Sequence, residues 1–201
     1  MRKRRTFTLL FHHNESNVNR FAFFFLGLLL FAAASPVFAD SLVLDVCVDY
    51  GCDVERTVFI PNEQWRTIQS LFDDADSASS ERTAVAKAIG MFEHIVGEQA
   101  GTSGDAAKNS AGYGGRGQLD CIAESINTER YLRLLETASL LPQHQVNNRV
   151  VRHPLLFNVH WTAVIRETDS GKAFAVDSWY GKNGDDAYVT GLEEWRRGAS
   201  P

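Results

Sequence analysis

The apolar residues after position 41 first alternate with polar residues and then take a helical spacing. Residues 42–60 form two alternating runs around the turn Asp49-Tyr50-Gly51, which predicts a β-hairpin. Pro61 fits the first turn of a helix. Residues 62–73 place their large apolar side chains on one helical face: Trp65, Ile68, Leu71 and Phe72.

The middle of the chain carries two helical patterns separated by a stretch with almost no apolar residues. A helix is predicted from Ser80 or Glu81 to about Gly97. Residues 97–117 contain seven glycines. A connection of about 20 residues is longer than most, which favours a functional or mobile loop over a plain linker. A second helix is predicted over residues 121–141, with Asp120 as its N-cap.

The C-terminal part of the chain is predicted to form a second hairpin. Residues 155–166 and 172–179 are strand-like, and the turn residues 168–171 join them. Helices in the first part and strands in the second predict an α+β fold, with helices packed on an antiparallel sheet.

Two other C-terminal segments give weaker patterns. Residues 143–154 are polar and are predicted to be a connection, with His144 and His153 at the surface. Residues 192–197 are too few to support a prediction.

The first 39 residues have the composition of a secretory signal peptide. A basic start, Arg2 to Arg5, precedes a continuous apolar run of fourteen residues at 21–34, and Val37-Phe38-Ala39 fits a signal-peptidase site. An uncleaved membrane anchor is the alternative, but the run falls short of the roughly 20 residues that span a bilayer. We predict cleavage before Asp40 and a single domain over residues 40–201. The protein would then be periplasmic or secreted, without stable membrane insertion.

The net charge narrows the classes of partner. The first 39 residues hold five of the 20 Lys and Arg but only one of the 25 Asp and Glu, which leaves a net charge of −9 on residues 40–201. An acidic surface disfavours nucleic acid and anionic lipid as partners. It leaves calcium and cationic substrates open without demonstrating either.

The three cysteines fall into two groups. Cys47 and Cys52 lie on the two sides of the predicted hairpin turn, and an exported protein meets an oxidising compartment, which favours a disulfide between them. Two buried free thiols are the alternative. A metal site is disfavoured because no cluster of His or Cys nearby completes four ligands. Cys121 is left unpaired, and an unpaired thiol in an exported protein calls for a reason.

Cys121 follows the glycine-rich run and begins a predicted helix. Free N–H groups and the helix dipole at that position favour a thiolate, which is the nucleophilic form of cysteine. The glycines would let backbone N–H groups approach an oxyanion, so we expect this loop at the rim of an active site. His160 and Asp177 lie near facing positions of the C-terminal hairpin, where the carboxylate would orient the imidazole. Asp120 and Glu124 oppose this chemistry, because negative charge near the thiol disfavours the thiolate.

Each of these residues alone has an ordinary structural explanation. Cysteine is often a small buried hydrophobe, and a histidine in an apolar strand is more often a core residue than a base. The combination of all three in this order is harder to explain by structure alone. Trp161 and Trp179 flank the His160–Asp177 pair and could line a substrate cleft, although membership of the core is the more common role.

Three motifs resemble a known family: GQLDCIAE, HWTAVI and FAVDSWY. They are similar to the papain-like superfamily and, within it, to the bacterial transglutaminase-like cysteine proteinases. The resemblance covers about residues 81–180. It implies a papain-like/transglutaminase-like fold with Cys121 as nucleophile, His160 as general base and acid, and Asp177 as orienting carboxylate. Gln118 resembles the oxyanion-hole glutamine that papain relatives place upstream of the thiol.

The function predicted is that of an exported cysteine peptidase or amidase, which forms a thioester with a protein or peptide substrate. Acyl transfer of the transglutaminase type shares this intermediate and differs in whether water or an amine takes the acyl group. A non-catalytic periplasmic binding module that retains the fold is the alternative of another class. No cofactor and no metal site are predicted, and calcium is left open.

Overall fold

The structure, a computed structural model, describes three stretches of the chain: residues 42–109, 115–153 and 159–201. These stretches lie within one unit, Phe38–Pro201. The predicted signal peptide at residues 1–39 lies outside them, as do residues 110–114 of the glycine-rich stretch and residues 154–158 of the predicted C-terminal hairpin. Within the described stretches, no helix is both long enough and apolar enough to cross a membrane.

Helices and strands are mixed along the described residues. The strands are β1 Leu42–Cys47, β2 Glu55–Ile60, β3 His144–Arg152, β4 His160–Glu167, β5 Ala173–Asp177 and β6 Tyr188–Gly191. The helices are α1 Asn62–Ser70, α2 Ala78–Ala100, α3 Cys121–Thr137 and α4 Leu192–Arg196. Strands β1 and β2 form a two-stranded antiparallel sheet, and β3 to β6 form a four-stranded antiparallel sheet in chain order. The predicted α+β class with an antiparallel sheet is confirmed.

The N-terminal hairpin is present where the sequence predicts it, and it is fixed to α3. A disulfide joins Cys47 at the end of β1 to Cys52 in the turn, with the two Cα atoms 4.8 Å apart. Asn127 of α3 contacts the free edge of β1: its Oδ1 accepts from the Cys47 N–H at 2.8 Å, and its Nδ2 donates to the Cys47 carbonyl at 3.0 Å. The disulfide-closed turn therefore lies beside the helix that begins at Cys121.

Helix α2 is longer than predicted at both ends because its caps extend it. Ser77 forms a capping box with Ser80 at the N-terminus, and Gly101 ends the helix in the left-handed region at φ 81°. The first four residues of the predicted glycine-rich loop are therefore helical. Gly97 lets Asn183 approach the helix closely, because a Cβ there would lie 2.6 Å from the side-chain oxygen of Asn183.

The predicted polar connection at residues 143–154 is wrong, because His144–Arg152 is strand β3 of the main sheet. Its side chains alternate between buried and exposed positions near its start, but two of the inward positions carry polar residues, which conceals the strand pattern. His144 was expected at the surface and is buried. Strand β6 and helix α4, for which no prediction was made, complete the other side of the sheet.

The two faces of the sheet pack against different helices. On one face, Ala163 and Ile165 of β4 join a large apolar core with α2 and α3, where the rings of Phe92 and Tyr131 stack at 4.9 Å. On the other face, Val164 and Ala175 pack against Leu192 and Trp195 of α4. This small second core places α4 beside the strand ends that carry His160 and Asp177.

Candidate active site

Helix α3 begins at Cys121, as predicted. Asp120 is its N-cap, and its Oδ1 accepts from the N–H of Ala123 at 2.9 Å and from the N–H of Gly51 in the disulfide turn at 3.0 Å. The helix ends at Thr137 and not at residue 141, because Ser139 takes a left-handed conformation at φ 58°. Cys121 is a free, partly exposed thiol at the first helical position.

His160 and Asp177 contact each other at the ends of β4 and β5. In the register of this pair Ala163 lies opposite Val176, so that Asp177 falls opposite Thr162 and diagonal to His160. The Nε2 atom of His160 lies 2.7 Å from the Asp177 Oδ2 atom, and both side chains are buried. The sequence-predicted pair is therefore brought together by the strand register.

The same imidazole interacts with Cys121. Burial lowers the pKa of His160, but hydrogen bonds to Asp177 and to Cys121, together with the charges of both groups, outweigh burial and raise it to about 9. Because Nε2 is bonded to Asp177, Nδ1 is the ring nitrogen available to Cys121. The structure thus groups all three predicted residues, and the His160–Asp177 contact is a direct hydrogen bond at 2.7 Å.

Trp195 is a site residue that the sequence analysis did not identify. Its indole N–H donates to the Oδ2 atom of Asp177 at 2.7 Å, the same oxygen that contacts His160. Its side chain is fully buried, and its ring centroid lies 5.6 Å from that of His160. Helix α4, which carries it, has only five residues and gives almost no periodic signal.

Two further residues support this arrangement. The guanidinium of Arg152 lies over the Trp195 ring at 4.6 Å and donates to the hydroxyl of Tyr180 at 2.7 Å and to the Trp195 carbonyl. Tyr180 in turn contacts the edge of the His160 ring at 5.6 Å. Arg152 therefore holds the aromatic residues that surround the imidazole.

The two tryptophans predicted to flank the pair have different positions. The Trp179 ring lies 4.6 Å from the His160 ring, so it adjoins the site. The Trp161 ring lies under the guanidinium of Arg149 at 5.1 Å. Among the described residues, the rings against His160 are those of Trp179, Tyr180 and Trp195. Trp179 is therefore the one of the two predicted tryptophans that adjoins the imidazole.

Gln118 anchors the described part of the glycine-rich loop. Its amide nitrogen donates to the Gly104 carbonyl at 2.8 Å, and its amide oxygen accepts from the N–H of Ala106 and the side chain of Asn109. The Asn109 carbonyl accepts from the indole N–H of Trp179 at 3.2 Å. The loop thus lies beside the site, as expected, while the oxyanion role of Gln118 stays a prediction.

The carboxyl group of Glu124 does not oppose a thiolate in the way the sequence suggested. It is buried with two other acids, Glu93 and Asp105. Burial, the charge of Glu93 and the contact with Asp105 raise the pKa of Glu124 well above its usual range. Burial likewise raises the pKa of Glu93 to about 7 and raises that of Asp105. Burial among other acids therefore favours the neutral form of Glu124, one turn from Cys121, over the ionised form.

One group of side chains in the described part of the chain has ligand atoms close enough to hold a metal ion. These are the sulfur atoms of Cys47 and Cys52 and the carboxylate of Glu55, all within 4.8 Å of one another. Thiolates are the metal-binding form of cysteine, and these two sulfurs form a disulfide. The two sulfurs therefore cross-link the hairpin and are not available as metal ligands while the disulfide is intact.

Comparisons of this chain with protein-family models, with curated proteins and with solved structures find no match. No family is therefore assigned to the chain. The resemblance to transglutaminase-like proteinases rests on the three motifs, and the function is inferred from the site geometry.

Proposed function

We propose that the protein is an exported thiol hydrolase that cleaves peptide or amide bonds, with the papain-like or transglutaminase-like arrangement its motifs suggest. The observation that carries the proposal is the placement of His160, bonded to Asp177 through Nε2 and in contact with Cys121 at a helix start. A cysteine beside a protonated, oriented imidazole is an activated nucleophile. The Cys47–Cys52 disulfide supports export, since such bonds persist in oxidising compartments.

The proposed reaction uses His160 first as an acid and then as a base. The Cys121 thiolate attacks the carbonyl carbon, the C–N bond breaks, and the proton held by His160 passes to the departing amine. His160 then takes a proton from water, which attacks the thioester carbon and releases the acid product and the thiolate. Asp177 stabilises the imidazolium in both steps.

The start of α3 supplies donors for the oxyanion. The N–H of Ala123 is bonded to Asp120, and the first intrahelical bond runs from Glu124 N to Asp120 O at 2.9 Å. The N–H groups of Cys121 and Ile122 have no hydrogen-bond partner among the described residues. Free N–H groups at a helix start stabilise an anion that develops next to them.

Alkylation of Cys121 by iodoacetamide, followed by mass spectrometry, tests the proposal without a known substrate. We expect rapid labelling at about pH 6, where an ordinary cysteine with a pKa of about 8.5 reacts slowly. His160→Ala should remove this reactivity. His94→Ala is the matched control, because the His94 side chain is 68% exposed on α2. An equally slow thiol in the wild type and in His160→Ala would refute the enzyme and favour a binding module.

The fate of the acyl group separates hydrolysis from acyl transfer. Fluorescein-labelled casein is incubated with the protein in the presence of dansylcadaverine, a fluorescent amine. We expect casein fragments without incorporated dansyl group, and Cys121→Ser should produce neither. Dansyl incorporation into intact casein would replace the hydrolase with a transglutaminase-type transferase, because an amine and not water then takes the acyl group.

A further inference from the structure

The residue that follows Asp177 makes a buried contact with the helix of Cys121. The Oγ atom of Ser178 donates to the Oε2 atom of Glu124 at 2.7 Å and lies 3.0 Å from the hydroxyl of Thr128. Glu124 lies three residues after Cys121 on α3. Ser178, Glu124 and Thr128 are all buried. This contact joins the element of the nucleophile directly to the element of the orienting carboxylate.

Glu124 also reaches the two other elements around the site. Its carboxyl group is buried with those of Glu93 of α2 and Asp105 of the glycine-rich loop, and these acids interact electrostatically. The Oδ1 atom of Asp105 accepts from the N–H of Leu119, two residues before Cys121, at 2.9 Å. Glu124 is therefore the point at which α2, α3, the loop and the end of β5 meet.

The contacts of this cluster require a proton on a carboxyl group. The Oε1 atom of Glu93 is buried and accepts from no N–H or hydroxyl group of the described residues. A hydrogen bond between two carboxyl groups needs one of them to be protonated, and three neighbouring buried carboxylates cannot all be ionised. A neutral Glu124 has one proton to donate, to Glu93 or to Asp105, while its Oε2 atom accepts from Ser178.

We propose that Glu124 is a positioning residue that acts as a neutral acid and fixes the helix of Cys121 against Ser178, and through Ser178 against Asp177 and His160. The inference rests on the proposed thiol chemistry. It explains how the position of Cys121 relative to His160 and Asp177 is fixed. An ionised Glu124 would repel Glu93 and Asp105 and place a negative charge one turn from the thiolate.

Rescue by the isosteric amide tests this role. In Glu124→Gln the side-chain NH₂ can donate to Glu93 and the oxygen can accept from Ser178, so we expect the iodoacetamide rate of Cys121 at mildly acidic pH to stay within about threefold of wild type. Glu124→Ala and Ser178→Ala should each lower that rate at least about tenfold, because small displacements of reacting groups are costly. Glu98→Gln is the control, since the Glu98 side chain is 66% exposed on α2.

The outcomes separate this inference from the proposed function. An ordinary, slow thiol in the wild type would refute the proposed function. A reactive wild-type thiol that is unaffected by Ser178→Ala, or that Glu124→Gln impairs as much as Glu124→Ala, overturns the positioning role alone. Ser178→Ala removes a single oxygen atom, so it keeps the test open if Glu124→Ala does not fold.

A second measurement follows the proton itself. In protein labelled with carbon-13 at the glutamate carboxyl carbons, the Glu124 signal, assigned by its loss in Glu124→Gln, should have the chemical shift of a protonated acid at pH 7. A shift typical of an ionised carboxylate would overturn the inference whatever the reactivity of Cys121.

Discussion

Two buried histidine–carboxylate pairs in the described stretches have nearly the same contact distance. His160 lies 2.7 Å from Asp177 through Nε2, and His144 lies 2.8 Å from Glu81 through Nδ1. All four side chains are buried. The first pair joins strands β4 and β5, and the second joins β3 to helix α2. Burial and the carboxylate contact therefore do not distinguish a catalytic histidine from a structural one.

The partner of the second ring nitrogen makes the difference. The Nε2 atom of His144 lies 3.2 Å from Arg82, whose guanidinium can only donate, so Nε2 must accept and Nδ1 must carry the hydrogen that is donated to Glu81. Both ring nitrogens of His144 are thus engaged by protein groups. The second nitrogen of His160 is left for Cys121, which raises the pKa of the imidazole. One histidine is fixed as a structural contact, and the other is able to exchange a proton.

The largest expected effect is on turnover. Cys121→Ala and His160→Ala should each lower the rate of casein cleavage by about 10³-fold or more, and the double variant should be no slower, because the residues act as one unit. His144→Gln in the folded protein should keep the rate within a few fold. Comparable losses from His144→Gln and His160→Ala would show that the two pairs do not differ in role.

The free energy of unfolding should show the opposite order, with a larger loss from His144→Ala than from His160→Ala. Removing His144 leaves Glu81 buried and without its ring partner, so His144→Ala should lower the free energy of unfolding by about 3 kcal/mol. His160→Ala should cost less, because the second ring nitrogen of His144 contacts the Arg82 guanidinium, whereas that of His160 is left for the Cys121 thiol, a weak hydrogen-bonding group. Urea unfolding of both variants measures this difference. A greater loss from His160→Ala would mean that the site pair, and not the His144 pair, stabilises the sheet.

Asp177→Asn should have an intermediate effect and should move the pH profile. We expect a loss of about 10²-fold in kcat/KM, since Asp177 orients the imidazole and does not react. His160 donates a proton in its charged form, which is lost as the pH rises through a pKa of about 9. Asp177 raises that pKa, so in Asp177→Asn the alkaline fall in rate should begin at lower pH. An unchanged alkaline limb would exclude Asp177 as the partner that raises it.

Trp195→Phe should have the smallest effect on kcat/KM. It should move the alkaline fall in rate in the opposite direction to Asp177→Asn. The loss of one hydrogen bond to the Asp177 carboxylate is expected to change kcat/KM by about three- to tenfold. A carboxylate with one donor fewer holds the imidazolium more strongly, so the alkaline limb should move to higher pH. Trp65→Phe serves as the control, because Trp65 packs on Phe92 away from the site. An alkaline fall in kcat/KM that moves to lower pH in Trp195→Phe would contradict the proposed effect of the indole hydrogen bond on Asp177.

The features predicted from sequence are those with local signals. Asp120 before Cys121 marks a helix start, and the turn at residues 168–171 fixes the hairpin that brings His160 to Asp177. His144 was placed at the surface because its partner Glu81 lies 63 residues away and gives no local signal. A polar residue that is buried by a distant partner looks like a loop residue in the sequence.

The remaining site features depend on packing that the sequence does not display. Trp195 reaches Asp177 only because β6 and the five-residue α4 fold back over the sheet. Glu124 looks like a surface charge on a helix, and burial beside Glu93 and Asp105 raises its pKa. Charge in the sequence is therefore a poor guide to charge at this site.

The most direct test of the account is the pH titration of the His160 ring by NMR in the wild type and in Cys121→Ala. The interaction with Cys121 is one of the causes that raise the pKa of His160 to about 9. The wild-type ring should therefore stay protonated to about pH 9, and Cys121→Ala should titrate at clearly lower pH. Identical titration curves for the two proteins would show that Cys121 and His160 do not interact, and would contradict the thiol hydrolase.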